Sequence, residues 1–166
     1  MKLTARGRAP FVALAVAAAV LLGGCGKMVK PDREKGYATN YAMSAVEYAI
    51  FMSEETAVLE NVLTTRLSMA NSVLNGTYDA AKEAENATEA LSKIESLKTA
   101  VMTTMPAQGY ESDREALLNC IEDARLIMEN YESALTDGRK SDLKSIAEEM
   151  KAAYLAASGE ANVFYE

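Results

Sequence analysis

Apolar residues recur every three or four positions through four long stretches of the chain, the spacing that puts them on one face of an α-helix. In the first stretch, about 38–74, Ala42, Val46, Ala49, Met52, Leu59, Leu63, Ala70 and Val73 form a single stripe. In the second, about 77–105, the stripe is Ala80, Ala84, Ala87, Leu91, Ile94, Val101 and Met105. The third runs from about 112 and carries Leu117, Ile121, Ala124, Met128, Tyr131 and Leu135. The fourth starts near Ser141-Asp142, carries Leu143, Ala147, Met150, Tyr154 and Ala157, and frays around Gly159. Asn75-Gly76, Pro106 with Gly109, and Asp137-Gly138 punctuate the series, as residues that end helices do. Ser112 and Glu115 have the spacing of a capping box, which predicts the start of the third helix there.

No run alternates with period two long enough to make a strand. Short connections force successive helices antiparallel, so residues 38–166 are expected to form an all-α, up-down-up-down four-helix bundle. Alanine fills many stripe positions, which allows close helix approach but supplies less apolar area than leucine.

The pattern ahead of residue 38 is different. Lys2, Arg6 and Arg8 form a basic head, Phe11 to Leu22 is an unbroken apolar run of 12, and Leu22-Gly23-Gly24-Cys25 closes it. Twelve residues make roughly 18 Å of helix, short of a hydrocarbon core about 30 Å thick. Residues 1–24 therefore have the form of an export leader rather than a span. The ending resembles the signal of bacterial lipoproteins, in which a lipobox of small residues precedes the cysteine that becomes the mature N-terminus. The resemblance covers residues 1–25 only. It implies a diacylglyceryl thioether on Cys25, often joined by an N-acyl chain, and a membrane anchor on the non-cytoplasmic side of the cell envelope. That side is the outer face of a Gram-positive plasma membrane, or a periplasmic leaflet or outer membrane. Two or more acyl chains anchor stably where one is marginal. Residues 25–37 hold Pro31, Gly26 and Gly36 without periodicity and have the character of a tether. Its Lys27, Lys30, Arg33 and Lys35 can meet anionic lipid beside the anchor.

Charge narrows the partners. Residues 1–24 contain three basic groups and no acid, so 14 basic and 24 acidic residues remain beyond them, a net of −10. Phosphate backbones repel such a body, and nucleic acid is not an expected partner. The chain has no histidine, which removes the Ser/His/Asp triad, the His general base, the HExxH zinc site and the Glu/His di-iron bundle. The expected protein is not an enzyme, and nothing calls for a cofactor or metal beyond the acyl group on Cys25.

Few side chains remain as candidate sites. Cys120, the second of two cysteines, falls beside Ile121 on the inward side of the third helix and is expected as a buried, inert thiol. Met102 and Met105 lie about one turn apart, but two thioethers alone make a poor Cu(I) site. Glu83, Glu85 and Glu89, and likewise Glu122 and Asp123, lack calcium-loop spacing. Glu89/Lys93 and Lys144/Glu148 are expected to pair across one turn on solvated faces.

Bundle geometry joins distant segments. The start of the first helix, the end of the second, the start of the third and the end of the fourth meet at one end. That end gathers Tyr37, Tyr41, Tyr48, Met102, Met105, Tyr110, Tyr154, Phe164 and Tyr165. Aromatic rings with polar tips beside adaptable methionines suit a plug of the bundle end, a surface for an envelope protein partner, or a pocket for a small ligand. The expected role is a membrane-anchored interaction or scaffold bundle, the alternative a ligand-binding, sensor-like one.

Overall fold

The computed structural model describes residues 43–163 and, within α4, side chains to residue 159. Four helices follow in order: α1 (Ala45–Leu74), α2 (Ala80–Thr103), α3 (Glu111–Thr136) and α4 (Leu143–Val163). They form the expected all-α four-helix bundle, with no strand among the described residues. Met1 to Ala42, including the leader, Cys25 and the tether, lie outside the described residues.

The helix starts differ from the expected ones for identifiable reasons. α1 begins at Ala45 because Ser44 caps it: the Glu47 N–H donates to Ser44 Oγ at 3.3 Å, and the Ser44 N–H donates to Glu47 Oε2 at 2.8 Å. The capping box thus sits here and not at Ser112, which lies within the first turn of α3. α3 starts one residue earlier, at Glu111, behind Tyr110, which makes no side-chain cap. Asp79 caps α2 by accepting from the Lys82 N–H at 2.9 Å. α4 runs through Gly159 to Val163 instead of fraying there.

The two turns at the far end of the bundle share one stop. Gly76 and Gly138 have φ of +70° and +68°, a conformation only glycine adopts without strain. The Thr77 N–H donates to the Ser72 carbonyl at 2.9 Å and the Arg139 N–H to the Ala134 carbonyl at 2.8 Å, closing each helix with a Schellman bond.

The core lies between all four helices, with Tyr48, Met52, Leu59, Leu63, Ile94, Leu117, Ile121, Met128, Tyr131, Leu143 and Met150 fully enclosed. Packing is uneven. α2 lies most closely on α3 and α1 on α4, while the α1–α2 seam is the most thinly packed of the four neighbouring pairs. Two expected core positions fall outside: Val46 is 58% exposed and Met105 63% exposed. Val46 points away from the face through Tyr48, Met52 and Leu59, and Met105 lies beyond the last turn of α2.

Candidate interaction surfaces at the bundle end and the α1–α2 seam

At the end where α1 starts, Arg114 of α3 closes α2. Its Nε donates to the Val101 carbonyl at 3.1 Å and its Nη2 to the Met102 carbonyl at 2.7 Å. A guanidinium on the last carbonyls satisfies groups the helix leaves orphaned and complements the negative end of its dipole. This clamp joins the start of α3 to the end of α2 and brings Tyr110 over Tyr48.

Tyr48 packs edge-on to Tyr110 at 5.5 Å between ring centroids and tilted on Phe51 at 5.9 Å. Its ring is completely buried and its hydroxyl has no hydrogen-bond partner among the described residues. Burial pushes the Tyr48 hydroxyl up to about 12, with Arg114 pulling the other way. Of the nine residues expected at this end, Tyr48, Tyr110 and Tyr154 pack into or against the core. Met102 and Met105 are exposed. Tyr37, Tyr41, Phe164 and Tyr165 lie outside the described residues. Phe51, absent from the expected cluster, is its third contacting ring.

The α1–α2 seam holds a polar cluster that sequence reasoning missed. Glu83, considered from the sequence only as part of an acidic group without calcium-loop spacing, is fully buried. It continues the inward line of α2 through Ala87, Ala90, Ile94, Leu97 and Val101, and that unbroken helical spacing is the signal that could have found it. Arg66 Nη1 of α1 donates to Glu83 Oε1 at 2.9 Å, the Tyr131 hydroxyl of α3 donates to the same oxygen at 3.1 Å, and Asn86 Nδ2 donates to Oε2 at 3.2 Å. Tyr78 joins through Asn86, accepting at 3.2 Å. Burial, reinforced by the Glu83 carboxylate, holds the Tyr131 hydroxyl far above its ordinary value, so it stays protonated and donates. A buried carboxylate met by one cation and two neutral donors is satisfied rather than reactive. Its chemistry here is to tie three helices together.

Beyond that tie the seam is an open groove, with cavities of about 370 and 450 Å³ that share Val58, Glu89 and Lys93. Ala57, Ala90 and Ala100 are among the residues that line it, and side chains this small leave space between the two helices. The groove runs from Asn86 to Ala100 along α2, about 21 Å at the rise of an α-helix.

Neither expected surface pair, Glu89/Lys93 or Lys144/Glu148, forms among the described residues. Besides Arg66–Glu83 and the pairs of Arg139 with Asp137 and Asp142, ion pairs link α2 to α3: Lys98 to Glu122 at 2.7 Å and Arg125 to Glu95 at 3.7 Å. Arg125 also pairs with Glu122 at 2.7 Å and with Glu129 on its own helix. The hydrogen bonds of Arg125, then Lys98, lower the Glu122 carboxyl to about 2. Cys120 is half-buried against the core, not fully enclosed. Among the described residues no helix is long and apolar enough to cross a membrane, and no group of three or more Cys, Asp or Glu gathers where it could hold a metal ion.

No protein-family model, curated protein or solved structure matches the chain.

Proposed function

We propose that the chain is a non-enzymatic lipoprotein of the cell envelope, anchored through acyl groups on Cys25, whose helical bundle serves as a protein-interaction scaffold. The observation that carries this reading is the ordered succession of basic head, apolar run and Leu22-Gly23-Gly24-Cys25. A leader that cannot span a bilayer, followed at once by a lipobox cysteine, supports anchoring by lipid rather than by a helix. The absence of histidine removes the commonest base and orienting group, which favours binding over catalysis. Methionine side chains exposed at the tether end of the bundle, Met102 and Met105, offer adaptable apolar contact for a partner held near the membrane.

Two measurements test the reading. The wild-type chain partitions into a detergent phase and Cys25→Ala into the aqueous phase; an unchanged partition removes the lipid anchor. Photo-crosslinking from Met105 in intact cells captures an envelope protein; a chain that crosslinks to nothing removes the scaffold role.

A further inference from the structure

The α1–α2 groove lies beside an apolar stripe on the same helix. Val46, Ile50 and Ala57 lie four and seven residues apart, which stacks them along one line of the outer face of α1. All three are exposed, Val46 at 58% and Ile50 at 38%. Ala57 is also a wall of the groove, and Ser53 and the exposed Glu54 lie between it and Ile50 on this side of the helix. Other exposed large apolar residues, such as Leu126 on α3 and Leu155 on α4, stand singly, as is ordinary for a soluble surface.

We propose that two copies of the chain pair about a two-fold axis crossing α1 near Glu55, each laying its Val46–Ile50 stripe across the other's α1–α2 groove. An isologous contact needs a surface that carries both a projecting element and the hollow that receives it, and α1 with its seam supplies both. With the two α1 helices antiparallel, the second copy's Ile50 and Val46 fall about one and a half and two and a half turns from the axis, near the height of Asn61, Val62 and Thr65. There the groove has its apolar floor of Val58, Val62 and Ala90.

Charge fits the same register. Glu54 and Lys93 form no ion pair within the described chain. Lys93 faces Glu55 and Val58 across the groove, so an axis at that height carries Glu54 of one copy to Lys93 of the other, twice per dimer. Two copies of an acidic chain repel overall, and Glu55 and Glu89 line the groove together with Lys93, so the Glu54–Lys93 contact is the attraction that has to offset this repulsion, beside the uncharged Asn61 and Thr65.

The inference rests on the scaffold reading only in naming a partner. Sedimentation equilibrium of the full chain in density-matched detergent tests it, over about 1–100 μM, the range suited to a small interface. Wild type is expected to dimerise, Ile50→Lys to be monomeric, and Leu126→Lys to dimerise like wild type. Glu54→Lys and Lys93→Glu each replace two attractions with two like-charge contacts and are expected to weaken the dimer on the order of tenfold. The double swap restores it. A monomeric wild type, a dimeric Ile50→Lys, or a double swap that fails to recover overturns the proposal. A monomer that still captures an envelope protein sinks the dimer and leaves the scaffold reading standing; a dimer that captures none does the reverse.

Discussion

Replacing Arg66 by Met is expected to be among the most destabilising single changes the bundle can suffer at a partly exposed position. Arg66 reaches Glu83 at 2.9 Å, its side chain 13% exposed and that of Glu83 0%. Removing one partner of a buried ion pair costs about 3–5 kcal/mol, because the other charge stays behind without compensation. Glu83 retains the Tyr131 hydroxyl at 3.1 Å and Asn86 Nδ2 at 3.2 Å, which moves the expected loss down to about 2–4 kcal/mol, around the lower end of that range. Helix propensity does not blur the result, since Arg and Met are nearly equal in a helix interior. Equilibrium urea unfolding followed by circular dichroism should show the midpoint falling by about 1–2 M at a slope of roughly 2 kcal/mol/M. Adding Glu83→Leu and Tyr131→Phe to Arg66→Met removes the stranded charge and its donor together and should recover most of the loss. An Arg66→Met variant within about 0.5 kcal/mol of wild type would refute the reasoning, because Glu83 would then have another source of compensation or access to water.

Three further outcomes follow from features at the ends and flank of the bundle. Tyr48→Phe removes a buried hydroxyl with no partner and should leave urea stability unchanged or raise it by up to about 1 kcal/mol; a clear loss would mean the hydroxyl is satisfied. Ser44→Ala abolishes the capping box of α1 and should lower stability by about 1 kcal/mol in the same assay, whereas Ser112→Ala should change it little. The Glu122 carboxyl is lowered from 4.5 to about 2, so its contribution is present above pH 4.5 and lost as pH falls toward 2. Glu122→Gln should therefore flatten the fall in stability across that window; a profile parallel to wild type would contradict the pairing with Arg125 and Lys98.

Helical spacing made the fold legible, and in α3 and α4 nearly every expected inward position is buried or packed against the core, because their stripes are strongly apolar and set against charged faces. α2 was harder. Its true inward line begins with a carboxylate, and a reading by hydropathy passes over Glu83 in favour of Ala80 and Ala84 beside it. No local pattern marks Arg66 and Tyr131 as its partners, since they lie 17 and 48 residues away and meet it only through packing. The sequence reading places the capping box at Ser112-x-x-Glu115 and misses Ser44-x-x-Glu47, which has the same spacing, and the clamp of Arg114 on the end of α2 accompanies an earlier start at the former. The aromatic end was half legible, with Tyr48 and Tyr110 brought into contact as bundle geometry requires and Met102 and Met105 left outside.

That α1 lies more closely on α4 than on its neighbour α2 sets an order of assembly. The α2–α3 hairpin joins elements adjacent in sequence and can condense early, at little loop-closure cost. α1 is synthesised first among the helices, yet its principal mate is made last. Until α4 arrives, the apolar face through Met52, Leu59 and Leu63 has only its thinly packed seam with α2 and a slight contact with α3 to lean on. Closure of the four-helix core therefore waits on the docking of α4 against α1.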